Sequence, residues 1–203
     1  MLQNNFESLC SHYTKDKELI SSLWQEIKLA YSASNRHYHT LVHVENVYEQ
    51  LQNVKDRIKN WDAVLFALYY HDIIYSATKN NNEEKSAGLA QIRLGQLGAS
   101  DEMILLVVQC ILATKSHHTS ANEDINYFTD ADLSILGESW PKYEAYKSNV
   151  RKEYRIYPDI IYKPGRLKVL DHFISMPRIY KTPFFSERFE QSAIANLKKE
   201  KGL

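Results

Sequence analysis

The chain has 203 residues, of which 44% are hydrophobic and 25% charged. This composition is typical of one globular domain and excludes a disordered or membrane-embedded protein. Lys plus Arg and Asp plus Glu both number 25, so the net charge is zero and nothing predicts an obligatory nucleic-acid partner. No apolar stretch approaches the roughly 20 residues that cross a bilayer. Cys10 and Cys110 lack C-x-x-C spacing and no signal peptide precedes them, which favours a cytoplasmic location.

Apolar residues recur at three- and four-residue spacing along the whole chain, which predicts an all-α fold in one domain over 1–203. The segment after Trp61 is apolar on nearly every side, so we expect a central, buried helix there. Gly98 is a plausible helix stop, and Ser100 or Asp101 can cap the helix that follows. The predicted helices cover about 19–31, 41–54, 61–74, 83–97, 101–112, 125–136, 141–154, 164–174 and 186–199.

Three groups of potential metal ligands stand out along the sequence. His39 and His43 lie four residues apart, which would place both imidazoles on one face of a helix. The adjacent pair His71-Asp72 lies near the end of the most apolar predicted helix, where an ionised carboxylate needs a partner or a metal. Asp130 and Asp132 are separated by one residue, so one of the two can face inward. Each group taken alone also fits an ordinary structural role, such as a packed histidine or a solvated carboxylate.

The order of these residues resembles a known pattern. His43, His71-Asp72 and Asp132 follow the sequence H…HD…D that names the HD superfamily of metal-dependent phosphohydrolases. The resemblance extends over nearly the whole chain and is similar to an uncharacterised bacterial branch described as predicted HD phosphohydrolases. The stretches that carry it are RHYHTLVHV, ALYYHDIIY, NNEEKSAGLA, TDADLSILG, RKEY and PGR.

The resemblance implies a helical bundle of the HD type, with a metal-site core over about 36–136 and C-terminal helices over 139–203 packed on it. It also implies a divalent metal bound by His43, His71, Asp72 and Asp132. Two imidazoles and two carboxylates suit manganese, magnesium, iron, cobalt, nickel or zinc. Such an ion would activate a water and polarise a phosphate group.

The resemblance favours Asp132 over Asp130 as the last ligand, because the family ligand stands just ahead of a leucine-type core position, here Leu133. Asp130 stays an alternative. His39 is less certain than His43 as a ligand, and is a candidate to orient a ligand, bind substrate or join a second metal.

Several residues are candidates for catalysis and for substrate binding. Asp72 is expected to accept a hydrogen bond from the attacking water, and Glu83 or Glu84 to carry protons, although both glutamates also suit a helix start. Arg36 is the first candidate for the phosphate, since a guanidinium binds phosphate through two parallel hydrogen bonds. The substrate-binding candidates are Arg36, His39, Lys115, His117 and His118.

The sequence therefore predicts a metal-dependent phosphohydrolase acting on a small phosphorylated molecule, with a nucleotide as the favoured substrate and a homodimer compatible with the sequence. Two alternatives stay open. One is a di-iron oxygenase of the HD type, because extra histidines stand near the ligands. The other is a non-catalytic nucleotide-binding or sensor module, because no general base is obvious.

Overall fold

The computed structural model describes all residues from Met1 to Leu203 and confirms the all-α fold class, since it contains helices and no strand. None of its helices has the length and apolar character needed to cross a membrane. Two short 3-10 helices, Lys55–Arg57 and Leu133–Gly137, accompany the ten α-helices. The α-helices are α1 (Leu2–Cys10), α2 (Lys17–Tyr31), α3 (Leu41–Gln52), α4 (Trp61–Tyr70), α5 (Asn82–Leu97), α6 (Asp101–Ala113), α7 (Glu123–Asp132), α8 (Trp140–Glu153), α9 (Asp159–Ser175) and α10 (Pro183–Lys201).

The chain divides into two compact units, Met1–Thr129 and Asp130–Leu203. In the first unit α4 is the central helix, as its apolar sequence predicts, and every residue from Ala63 to Tyr70 is buried. It packs against α1, α3, α5 and α6. The hydrophobic effect thus places the residue that follows α4 at the inner end of a buried helix.

Helix α1 is missing from the sequence prediction, which began the helices at residue 19. Its buried residues Leu2, Phe6 and Cys10 recur at the helical spacing of four, but the segment is only nine residues long and is not a stable helix on its own. Tertiary packing stabilises it instead, because the Phe6 ring lies 5.9 Å from that of Trp24 and 5.0 Å from that of Tyr69. Isolated helices of this length are marginal in water, so α1 depends on these contacts.

The starts of α4 and α7 are tied together by one buried carboxylate. Asp124 accepts hydrogen bonds from the backbone N–H groups of Lys59 and Asn60, at 2.8 and 2.9 Å, and from the Asn60 side chain at 2.9 Å. Both helices are ten residues long, so each rises about 15 Å from this shared point. Asp124 therefore holds the start of α7 against the start of α4.

Two helix boundaries and the placement of His39 differ from the prediction. Helix α4 ends at Tyr70 rather than at residue 74, and α3 begins at Leu41, so His39 precedes the helix instead of sharing a helical face with His43. Pro164 does not open a helix. Helix α9 begins earlier, at Asp159, where Pro158 fixes the backbone ahead of the first turn, and Pro164 lies inside it.

In the second unit, α10 packs against α9 and against the 3-10 helix Leu133–Gly137. Gly137 makes the close approach to α10 possible, because a Cβ atom there would lie 2.5 Å from the Cβ of Phe189 and 2.6 Å from its carbonyl oxygen. Arg166 and Glu200 form a buried two-point ion pair, with Nε–Oε1 and Nη2–Oε2 distances of 2.9 Å. These contacts join α9 and α10 within the unit.

Candidate metal centre

His71 is the residue that terminates α4, and its side chain is 1% exposed. Its Nδ1 lies 2.9 Å from the carbonyl oxygen of Leu68. A carbonyl only accepts hydrogen bonds, so Nδ1 carries the proton and the lone pair of the neutral ring is on Nε2. This bond orients the imidazole in the way that is typical of metal-bound histidines.

The Nε2 atom of His71 points at two other groups with lone pairs. His43 Nε2, from the buried face of α3, is 3.1 Å away, and Asp72 Oδ2 is also 3.1 Å away. With a neutral His71 these lone pairs would repel one another, so a proton or a metal ion must lie among them. Ligands about 2.1 Å from one ion and at right angles are about 3 Å apart, and the two observed distances match that spacing.

Asp72 directs a single oxygen towards three imidazoles. Oδ2 lies 3.1 Å from His71 Nε2, 3.7 Å from His43 Nε2 and 3.9 Å from His39 Nε2. Burial raises the pKa of this carboxyl, but the positive charge of His71, His39 and His43 in their protonated form outweighs that effect and holds it below its usual range. A metal ion among neutral imidazoles would supply positive charge at the same place. The carboxylate is therefore ionised and ready to bind a cation.

Asp132 is the last residue of α7, and it forms a potential metal-binding group with His43 and His71. One ligand atom of each residue lies within 4.8 Å of the others. Phe128, one helical turn before Asp132, packs edge-on against the His71 ring at 5.7 Å between centroids. Residues four apart share a helical face, which explains why Asp132 faces the histidines.

The Asp130 carboxylate binds Lys181 and Thr182. Its carboxylate accepts hydrogen bonds from the backbone N–H groups of Lys181 and Thr182, at 2.8 to 3.0 Å, and from the Thr182 hydroxyl at 2.7 Å. The Lys181 ammonium, with 3% of the side chain exposed, lies 3.3 Å from Asp130 Oδ1. Side chains two apart on a helix point about 200° from each other, so the two aspartates serve different partners.

The structure places the Arg36 guanidinium against the backbone of the residues that carry the centre. It is 8% exposed, and its guanidinium donates to the carbonyl oxygens of His39 at 3.2 Å, Asp72 at 2.6 Å and Ile73 at 2.7 Å. Both terminal nitrogens of the guanidinium therefore donate hydrogen bonds to backbone carbonyls. This geometry favours a structural assignment over the predicted contact with phosphate.

His39 precedes α3 but still reaches the centre. Its ring lies 4.2 Å from that of Tyr75 and 4.9 Å from that of Tyr38, between centroids, and its Nε2 is 3.9 Å from Asp72 Oδ2. The side chain is 20% exposed, so solvent and a ligand can reach it. His39 is therefore the accessible histidine of the group.

The remaining candidates lie at the start of α5 and in the segment that follows α6. Glu84, in the first turn of α5 beside Glu83, forms an ion pair with Lys115, which also donates to the carbonyl oxygen of Asn80 at 2.8 Å. Lys115 is therefore neutralised by a carboxylate. His117 has a positive φ of 54°, and His118 is exposed. The catalytic and substrate-binding roles of these residues stay predictions.

Three residues that support the centre are absent from the sequence prediction as site residues. Tyr31 and Tyr75 flank the Arg36 guanidinium, and Lys181 pairs with Asp130. Tyr31 appears in the sequence only as the end of an apolar stripe, and Lys181 lies about fifty residues beyond Asp130, so no local pattern indicates either contact.

Comparison of the chain with protein-family models, with curated proteins and with solved structures finds no match.

Proposed function

We propose that this protein is a metal-dependent phosphohydrolase with an HD-type fold. The observation that carries the proposal is the convergence of His43, His71 and Asp132 on one point, with Asp72 beside His71. These four residues are those that the H…HD…D order predicts. The positions of these residues support the proposal. His71 and Asp72 follow the buried helix α4, and Asp132 ends α7, whose start lies next to the start of α4.

Each residue of this site would have its own role in the reaction. A divalent ion bound there would acidify a water and polarise a phosphate oxygen. His71 and His43 supply neutral nitrogen ligands, and the Leu68 carbonyl keeps His71 in the required tautomer. Asp72, which is ionised and lies next to three imidazoles, would bind the ion and accept a hydrogen bond from the attacking water.

The proposed substrate is a small phosphorylated molecule, with a nucleotide favoured. Since Arg36 is buried under the centre and Lys115 is paired with Glu84, the first candidate to contact the phosphate is His39. Its ring is partly exposed and stacks on Tyr75. A hydrogen bond from a protonated or neutral imidazole to a phosphate oxygen fits this position.

The test is phosphate release from a panel of nucleotides and simple phosphoesters, with Mn²⁺, Co²⁺, Ni²⁺ or Mg²⁺ added to metal-stripped protein. Asp72→Ala should lose activity by at least about a hundredfold, because ligand and water acceptor are removed together. Asp62→Ala is the matched control, since Asp62 forms a His–Asp pair with His12 on the surface. Absence of turnover with every metal would contradict the proposal.

A di-iron oxygenase of the HD type is the second candidate, and His39 is the observation that favours it, because it brings a third imidazole to Asp72. Metal analysis of protein purified from cells separates the two functions. Two irons per chain favour the oxygenase, and one ion other than iron favours the hydrolase. Tight nucleotide binding without turnover would instead indicate a sensor module.

A further inference from the structure

The guanidinium of Arg36 lies between two aromatic rings. Its central carbon is 5.0 Å from the Tyr31 ring centroid and 5.6 Å from that of Tyr75. Such cation–π contacts strengthen when the cation is desolvated, as it is here. The rings therefore fix the plane of the guanidinium, and its hydrogen-bond directions follow from that plane.

The guanidinium donates hydrogen bonds to three backbone carbonyls, and two of these belong to residues whose side chains meet in the centre. Nη1 donates to the carbonyl oxygens of Asp72 and His39, at 2.6 and 3.2 Å, and Nη2 donates to that of Ile73 at 2.7 Å. The other side of Asp72 is held as well, since its N–H donates to the Tyr31 hydroxyl at 3.3 Å. Arg36 and Tyr31 thus hold the Asp72 backbone from both ends.

The position of these carbonyls explains why a cation is needed. Helix α4 has ended at Tyr70, so the carbonyls of Asp72 and Ile73 have no helical partner. They lie at the negative end of the α4 dipole, where a positive charge is favourable. A buried arginine satisfies both requirements with one side chain.

We propose that Arg36 is a positioning residue of the metal centre: it joins the backbone of His39 to that of the His71-Asp72 turn and so sets the approach of the His39 and Asp72 side chains. The inference rests on the proposed metal centre but not on any particular reaction. Lysine cannot replace it, because one ammonium lacks the planar fork that reaches three carbonyls.

The alternative is that Arg36 binds the phosphate of a substrate. The two roles predict different kinetics, since loss of a phosphate contact raises KM and leaves metal affinity unchanged. Loss of a positioning contact weakens metal binding and lowers kcat. Metal affinity can be measured without any substrate, so the positioning role is testable even if the protein hydrolyses nothing.

The experiment compares Arg36→Lys with Arg93→Lys in the full chain. Arg93 is a matched control, since it also makes a two-point contact, to Glu26 at 2.9 and 2.7 Å, within the same unit. Calorimetric titration with Co²⁺ gives the affinity, the visible spectrum of bound Co²⁺ gives the ligand geometry, and the thermal midpoint of metal-free protein shows whether each variant is folded.

We expect Arg36→Lys to weaken Co²⁺ binding by about 10- to 100-fold, the usual effect of losing a residue that orients metal ligands, and to change the Co²⁺ spectrum. Arg93→Lys should change neither. Wild-type affinity and spectrum in a folded Arg36→Lys variant would overturn the proposal, as would a rise in KM alone.

Tyr31→Phe keeps the proposal testable if Arg36→Lys does not fold. It deletes only the hydroxyl that accepts the Asp72 N–H, and we expect several-fold weaker Co²⁺ binding with an altered spectrum. An unchanged Tyr31→Phe variant would contradict the proposal. A wild-type protein that binds Co²⁺ without hydrolysing any phosphoester would contradict the proposed function and leave the role of Arg36 intact, whereas failure to bind Co²⁺ would overturn both.

Discussion

Asp130→Asn should destabilise the protein without removing its metal site. The carboxylate of Asp130 pairs with the buried Lys181 ammonium, at 3.3 Å, and accepts three donors from Lys181 and Thr182. An amide keeps one oxygen for the backbone N–H groups but carries no charge. The Lys181 ammonium would then be buried without a counter-charge.

Breaking a buried ion pair by removing one partner costs about 3–5 kcal/mol. Burial raises the pKa of Asp130 and lowers that of Lys181, which shows that both charges are costly to bury and depend on each other. Lys181→Met removes the other charge but leaves Asp130 with its three donors, so we expect the smaller loss. The double variant should regain part of the loss seen in Asp130→Asn.

The assay is chemical denaturation of the three variants and the wild type, analysed as a double-mutant cycle. Metal affinity of folded Asp130→Asn should stay within a few-fold of wild type, because Asp132 supplies the ligand. A loss below about 1 kcal/mol, or strictly additive effects of the two substitutions, would refute the role of the ion pair.

Three further outcomes follow from the packing. Gly137→Ala should lose about 1–3 kcal/mol of unfolding free energy in a denaturant titration, because a Cβ would overlap the backbone of Phe189; wild-type stability would contradict this. Burial raises the pKa of the Cys10 thiol to about 12, so iodoacetamide should label it only after unfolding, and rapid labelling of native protein would argue against that burial. Burial raises the pKa of Glu200, but Arg166 outweighs this and holds it below its usual range, so its contribution is present above pH of about 4.5 and lost as the pH falls further. The unfolding free energy should fall more steeply with acid in wild type than in Glu200→Gln, and equal slopes would contradict this.

Much of the fold is predictable from local sequence. The helical period identifies nine of the ten α-helices, Gly98 ends α5 in the left-handed conformation, and Ser100 caps α6 through the Met103 N–H. These features depend on neighbouring residues only. The sequence prediction misses α1, whose helical pattern covers only nine residues, and it places the end of α4 four residues too late.

The candidate site is also only partly predictable from the sequence. The order of the histidines and aspartates picks out the residues that converge in space, although it cannot show that Asp130 faces Lys181 while Asp132 faces the histidines. That distinction requires the direction of each side chain on α7. The contacts of Arg36 also cannot be predicted from local sequence, because two of its three carbonyl partners lie more than thirty residues away.

We propose that one metal ion binds where His43, His71, Asp72 and Asp132 meet. The most direct measurement is Co²⁺ titration of metal-stripped wild type, His71→Ala and His12→Ala. His12 is a stringent control, because its Nδ1 lies 3.1 Å from Asp62 Oδ2, the same separation as between His71 Nε2 and Asp72 Oδ2. We predict one ion per chain for wild type and His12→Ala, and at least about a hundredfold weaker binding for His71→Ala. Equal affinity of all three proteins would contradict the metal centre.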